Sequence, residues 1–153
     1  MTAPNHALTG AFIGLSISNP VLALPLALVS HLVCDFIPHY DQPEPLALDR
    51  IKSRRFIYEQ IVTGAVLCFL LVVVLAVTQP RHWLLAAVCA FAAASPDLLW
   101  IPRFVHIKRT GQDITLRGWF WFHDSLALTT GPRYIWLELA WFVAFGALVA
   151  RML

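Results

Sequence analysis

The chain has 153 residues, enough for one domain, with 59% hydrophobic and only 13% charged residues. An average soluble domain has roughly 45–50% and 25%, so this composition excludes an ordinary soluble protein and predicts an integral membrane protein. The net charge of +2 offers no basic tail for nucleic acid. The three cysteines are widely spaced in apolar segments, and we interpret them as small buried hydrophobic residues.

The first two predicted helices form a hairpin. Residues 5–17 (NHALTGAFIGLSI) are apolar but too few to cross a bilayer alone. Ser18 or Asn19 can cap a second helix that starts at Pro20. Pro38 should end that helix, because proline removes a donor and crowds the carbonyl four residues back. We expect 5–17 and 20–37 to pair, with their tip inside the membrane or near its far side.

Three longer apolar segments follow, and residues 60–78, 83–102 and 134–153 are each expected to cross the bilayer. Residues 39–58 form a polar loop, with a surface helix around LALDRIKSRRF, and residues 103–133 are a polar and aromatic connection punctuated by glycines. The predicted fold is an all-α integral membrane helical bundle. It consists of one domain, with an N-terminal hairpin and three spanning helices.

Lysine and arginine are distributed unequally between the two ends of these helices. Nine lie on the side of the two long loops, namely Arg50, Lys52, Arg54, Arg55, Arg103, Lys108, Arg109, Arg117 and Arg133. Only Arg81 and Arg151 fall on the opposite side. Because cytoplasmic loops carry the excess of positive charge, we predict a multi-pass inner-membrane protein whose long loops and N-terminus are cytoplasmic.

This topology brings histidines and carboxylates from distant segments to one leaflet. The side chains that emerge there are His6, His31, Asp35, Asp97, His123 and Asp124. Of the six histidines, only His82 falls on the other side. Ionisable groups cost roughly 2.5–3.5 kcal/mol each at mid-membrane and less near the interface, so their gathering in one leaflet indicates a functional site.

The spacing of these residues suits a metal ion. His31 and Asp35 are four residues apart and share a helical face. An imidazole and a carboxylate on one face suit a divalent ion, with zinc first and iron or manganese as alternatives. We predict five metal ligands: His6, His31, Asp35, Asp97 and His123. We further predict that three residues orient these ligands or act as general base, namely Asp124, Asp41 and His39.

Two glycines accompany the first of these ligands. Gly10 and Gly14 share a helical face with His6. Small residues at this spacing let helix backbones approach closely in a membrane. We expect them to press the first helix against the second and to direct His6 inward.

The residues of the hairpin have a plainer interpretation as well. His31 and Asp35 can be a buried hydrogen-bonded pair without metal. His6, near the start of the chain, can be solvated. Under these alternatives the hairpin carries polar groups but no site.

The later residues also have alternatives. The SPD segment at 95–97 fits a cap, a first-turn proline and a first-turn acid of a helix. Residues 123–124 follow WFWF, which is typical of an interfacial aromatic belt and would leave them exposed. His106 lies among basic residues and suits a surface contact. Glu138, one turn into the last span, either faces the same cavity or snorkels to the interface.

Four stretches of the chain carry a family resemblance: HALTGAFIG, SHLVCDFIPHYD, SPDLLW and FHDS. In this order they resemble the YdjM-like family of small prokaryotic inner-membrane metal-dependent hydrolases. The resemblance implies that His6 is the family's early histidine. It also implies that the acidic motif corresponds either to Asp35, His39 and Asp41 or to residues 96–97. The family's last motif is partly present, since WFHDS keeps the histidine and serine and lacks the preceding His-Arg-Gly.

These observations lead to one functional hypothesis, a membrane-bound metal-dependent hydrolase of a phosphoester at the cytoplasmic leaflet. Its substrate would be amphipathic, in contact with membrane lipids. Arg103, Lys108 and Arg109 would meet its phosphate or lipid headgroups, although positive-inside charge explains them equally well. No serine or cysteine nucleophile motif occurs in the sequence.

Two rival hypotheses remain from the sequence. In the first, the protein is a small non-catalytic membrane scaffold or adaptor whose polar or metal cluster is structural, which a closed four-ligand shell would favour. In the second, it carries metal ions or protons and needs a ladder of polar groups across the membrane. The opposite half offers little for such a ladder beyond Arg81 and His82.

Overall fold

Helices make up about four fifths of the part of the chain that the structure, a computed structural model, describes. That part covers residues 1–40, 61–112, 117–126 and 129–153, the side chains of Phe120 and Asp124 excepted. The α-helices are α1 (Ala3–Ser16), α2 (Pro20–Phe36), α3 (Thr63–Thr78), α4 (Trp83–Leu98), α5 (Ile101–Thr110), α6 (Trp119–Leu126) and α7 (Ile135–Ala150). The described residues contain no strand, only an isolated bridge between His39 and Thr130, so the expected all-α class is confirmed.

The junction between α1 and α2 follows the local sequence signals. The Asn19 side chain accepts a hydrogen bond from the Val21 amide at 2.9 Å, so Asn19 rather than Ser18 caps α2. The helix starts at Pro20 and ends at Phe36, two residues before Pro38. The surface helix that we expect around LALDRIKSRRF lies outside the described residues.

The connection expected at 103–133 contains helices. The apolar segment from residue 83 divides into α4 and α5, with Pro96 in the last turn of α4 and Pro102 in the first turn of α5. Proline favours such a division because it breaks the backbone ladder inside a helix and fits the first turn of a new one. Gly111, with φ of 74°, ends α5 and donates its amide to the Ile107 carbonyl.

Two helical segments of the described chain are long and apolar enough to cross a membrane. They are Trp83–Thr110, with 28 residues, and Pro132–Ala150, with 19 residues. α2 and α3 are apolar but shorter, and α3 has 16 residues where we expected a span over 60–78. Only 11% of the apolar window in Pro132–Ala150 is buried inside the protein. A core helix of a soluble protein would be mostly buried, and this helix is instead mostly exposed.

α1 is the central helix of the bundle. It packs against α2, α3, α4 and α7, and ten of its fourteen residues are buried. By contrast, α2, α3 and α7 present large apolar side chains outward, including Val21, Val77 and Trp136. The short first helix is therefore an internal element that the others surround.

The glycines of α1 face α4, which corrects the expected partner. A Cβ added at Gly10 would lie 2.3 Å from the Cys89 carbonyl oxygen, and one at Gly14 would lie 2.5 Å from the Ala86 Cα. The expectation that these glycines press α1 against α2 is therefore wrong. α4 receives them because it presents alanines and a cysteine there, and small residues on both helices allow the backbones to touch.

This contact predicts the effect of adding a single methyl group. Gly10→Ala or Gly14→Ala would force α1 away from the α4 backbone and destabilise the protein by about 1–3 kcal/mol. Gly146→Ala is the control, because a Cβ there meets nothing within 4 Å. Thermal unfolding in detergent should show a lower midpoint for the first two variants and not for the third. Equal midpoints for all three would contradict this packing.

Candidate metal centre

Four helices deliver the predicted ligands to one end of the bundle. His6 comes from the first turns of α1, and His31 and Asp35 come from the last two turns of α2. Asp97 lies in the last turn of α4, and His123 lies on α6. The structure brings these five side chains together, although they come from positions spread over more than a hundred residues of sequence.

Asp35 lies at the middle of the cluster. Its Oδ2 is 3.2 Å from His31 Nε2 and 3.0 Å from His123 Nε2. Its Oδ1 is 3.1 Å from His6 Nε2 and also contacts the amino group of Met1. Since the carboxylate is almost fully buried, these nitrogen atoms replace the water that it would otherwise bind.

His31 is held in one tautomer by the backbone of α4. Its Nδ1 lies 2.8 Å from the Ala93 carbonyl oxygen, and a carbonyl only accepts, so Nδ1 carries a hydrogen. The neutral ring then has its lone pair at Nε2, the atom that faces Asp35. A backbone carbonyl bound to the far nitrogen is the usual arrangement of a metal-ligating histidine.

Three ligand atoms converge at this side of the cluster. His31 Nε2 and His123 Nε2 are 2.8 Å apart, and both approach Asp35 Oδ2. Atoms with lone pairs stay this close only when a proton or a metal ion lies between them. Ligands of one tetrahedral zinc ion, each about 2.0–2.1 Å from it, lie about 3.3 Å apart. The donor set therefore fits a divalent ion after small outward shifts of the side chains.

His6 forms the other side of the cluster and has the least satisfied ring. It is fully buried, and its ring stacks on His31 with centroids 4.0 Å apart. Neither ring nitrogen has a hydrogen-bond partner among the described residues, because the approach to Asp35 lacks hydrogen-bond geometry. A buried polar group left without a partner costs about 1–3 kcal/mol. A metal ion bound to a nitrogen of this ring would remove that free-energy cost.

The cluster contains two overlapping groups of three ligand atoms. One comprises His6, His31 and Asp97, and the other His31, Asp35 and His123, each with its ligand atoms within 4.8 Å of one another. Asp97 Oδ1 lies 3.8 Å from His31 Nε2, and its side chain is 30% exposed. The buried groups can therefore hold a metal ion, and the cluster meets the surroundings at Asp97.

Aromatic rings cover the remaining side of His123. The rings of Trp100 and Trp119 lie 5.6 and 5.7 Å from the His123 ring, centroid to centroid. The guanidinium of Arg103 stacks over Trp100 at 4.9 Å from its centroid. This wall limits the motion of His123 and brings one positive charge close to the cluster.

A second polar network anchors α1 beside the cluster, and the sequence alone did not identify it. Glu138 Oε2 accepts hydrogen bonds from the Thr2 amide and hydroxyl and from the Asn5 side-chain amide. The carboxylate thus binds the N-terminal end of α1, where the helix dipole favours negative charge. Trp141 donates to the Thr9 hydroxyl at 2.9 Å, which adds a second link to α7. Glu138 is 4% exposed and does not snorkel.

The remaining predicted residues lie elsewhere or outside the described part. The His39 Nδ1 lies 2.8 Å from the Ile37 carbonyl oxygen, and its backbone pairs with Thr129 and Gly131. His39 is thus held locally and is not among the described residues whose ligand atoms converge. Asp41 falls outside the described residues. Asp124 lies on α6 beside His123, but its side chain is not described.

Comparison with protein-family models, with curated proteins and with solved structures found no match to this chain. The case for a function therefore depends on the geometry of the cluster and of the bundle around it.

The anchor at Glu138 gives a prediction about stability. Glu138→Ala would remove the acceptor of the Thr2 amide and hydroxyl, would leave the Asn5 amide with only the backbone carbonyl of residue 138, and should cost about 1–3 kcal/mol. Glu138→Gln keeps an acceptor oxygen and should lose less. Leu139→Ala, at a neighbouring position that faces outward, is the control. If all three variants unfold in detergent at the same temperature, the network does not anchor α1.

Proposed function

We propose that this protein is a membrane-bound, metal-dependent hydrolase of a phosphoester at the cytoplasmic leaflet. The observation that carries the proposal is a cluster at one end of the bundle that consists of three buried imidazoles, the buried carboxylate of Asp35 and the partly exposed carboxylate of Asp97. Ionisable groups inside an apolar bundle are costly, and function is the usual reason for keeping them there.

Membrane placement is supported by two kinds of observation. Two helices are long and apolar enough to cross a bilayer, and the outward faces of α2, α3 and α7 are lined with large apolar side chains. We infer that α3 also crosses, with residues 61–62 and 79–80 at its ends. The excess of lysine and arginine at the end that carries the cluster indicates the cytoplasmic side.

Imidazole and carboxylate ligands suit zinc, with manganese and iron as alternatives. A bound divalent ion would supply a water that is nucleophilic near neutral pH and positive charge for the phosphoryl oxygens. The residues that would hold it are His6, His31, Asp35, Asp97 and His123. We assign general-base or orienting roles to Asp124 and Asp41, which adjoin the cluster and α2 in the sequence, and a lesser orienting role to His39.

The chain's own basic residues would position the substrate. Arg103 stacks on Trp100, whose ring contacts His123, so its guanidinium lies one ring away from the cluster. A guanidinium binds phosphate oxygens in a bidentate manner. Lys108 and Arg109, exposed in the last turn of α5, would contact lipid headgroups at the interface. An amphipathic, lipid-linked phosphoester fits this combination of charge and apolar surroundings.

The rival hypothesis, a non-catalytic scaffold or adaptor with a structural cluster, predicts a closed ligand shell. The partial exposure of Asp97 favours an open site. We therefore rank the hydrolase above the scaffold.

Metal content and activity of the purified protein in detergent test this proposal together. His31→Ala should lower zinc binding and Asp35→Ala should abolish it, and both should lower hydrolysis of p-nitrophenyl phosphate and of a lipid phosphate by more than about 100-fold. His106→Ala is the matched control, because His106 is an exposed histidine on α5. Metal-loaded wild type without activity on a panel of phosphomonoesters and diesters would favour the scaffold.

A further inference from the structure

The two oxygen atoms of Asp35 point to different groups of ligands. Oδ2 faces His31 and His123 at 3.2 and 3.0 Å, whereas Oδ1 faces His6 at 3.1 Å and contacts the amino group of Met1. A carboxylate that binds one ion through one oxygen leaves the other oxygen for hydrogen bonds, whereas a bridging carboxylate uses both oxygens for metal ions. The divided arrangement allows Asp35 to bridge two positions.

The tautomer of His31 determines which of the two overlapping groups of ligands this residue belongs to. Its Nδ1 is committed to the Ala93 carbonyl, which leaves one lone pair, at Nε2, for one ion. That lone pair faces His123 and Asp35 Oδ2 at 2.8 and 3.2 Å and lies farther from Asp97, at 3.8 Å. His31 therefore belongs to the position shared with His123.

The second position then consists of His6, Asp97 and the other oxygen of Asp35. The ligand atoms of His6 and Asp97 lie within 4.8 Å of each other, and Asp35 Oδ1 adjoins His6. The buried ring of His6 has no hydrogen-bond partner among the described residues. An ion at this position would bind a ring nitrogen of His6 and would have the partly exposed Asp97 as its ligand on the side nearest the surroundings.

We propose that the cluster holds two divalent metal ions bridged by Asp35. His31, His123 and Oδ2 of Asp35 bind one ion, and His6, Asp97 and Oδ1 of Asp35 bind the other. Two-metal sites that act on phosphate esters place their ions about 3.5–4 Å apart, a distance that one carboxylate spans. The proposal rests on the proposed function in one respect, that the cluster binds metal.

The charge of the two-ion site suits a phosphate group. Three neutral imidazoles, two carboxylates and the ammonium group of Met1, which contacts Asp35, carry a charge of −1. Two ions leave a net charge of +3, and a phosphomonoester dianion offsets most of it inside a site of low dielectric. This count makes a terminal phosphate group the substrate class that the site would bind best.

Metal counting in full-length protein tests the proposal. Metal-free protein in detergent would be titrated with Mn²⁺, and bound ions counted by elemental analysis after desalting. We expect two ions per chain in wild type and in the control His106→Ala. His6→Ala and His123→Ala should each retain one ion, and Asp35→Ala should retain none tightly.

Electron paramagnetic resonance of the Mn²⁺-loaded protein gives a readout independent of activity. Wild type should show the exchange-coupled spectrum of two nearby ions, and His6→Ala the six-line spectrum of an isolated ion. One ion per wild-type chain, or two uncoupled ions, would overturn the proposal even if no variant folds. If the protein binds one ion and still hydrolyses phosphoesters, the proposed function stands and the two-ion proposal fails. If it binds two coupled ions and hydrolyses none, the two-ion proposal stands and the proposed function fails.

Discussion

The contact between α1 and α4 is the constraint on which the rest of this structure depends. At Gly10 the helices approach so closely that a Cβ would meet the Cys89 carbonyl and the Ala93 methyl group. Ala93 also provides the carbonyl that binds His31 Nδ1. Ala93 therefore takes part both in the packing that buries α1 and in the orientation of His31. The packing of the helices and the geometry of the site both depend on this residue.

The surroundings of α1 explain how an apolar bundle tolerates so many polar groups at one end. Glu138 holds the N-terminal end of α1 through Thr2 and Asn5, and Asp35 gathers imidazoles from α1, α2 and α6. Within a low-dielectric interior, polar groups that bind one another are strong and unpartnered ones are expensive. Among the described residues, the buried polar atoms without a hydrogen-bond partner are both ring nitrogens of His6, Oδ1 of Asn5 and Oε1 of Glu138. The His6 nitrogens lie where the second proposed ion would bind.

Local patterns in the sequence predicted the helices and the end of the bundle at which the polar residues emerge. Pro20, Asn19 and Pro38 bound α2 because capping and proline sterics act within a few residues. The convergence of His6, His31, Asp35, Asp97 and His123 followed from topology, since alternating helices return to the same end. The helices inside 103–133 were not predicted, because aromatic residues and glycines there indicated a loop.

The sequence by itself determined an all-helical, strongly apolar chain with its carboxylates and all but one of its six histidines at one end. Only the tertiary structure decided that Gly10 and Gly14 face α4, that Glu138 binds α1 and that Asp35 divides its two oxygens. The physical reason is that periodicity specifies which face of a helix is apolar or small but not which helix covers it. That choice depends on complementary small residues and hydrogen-bonding groups far away in the chain, which meet only once the helices pack.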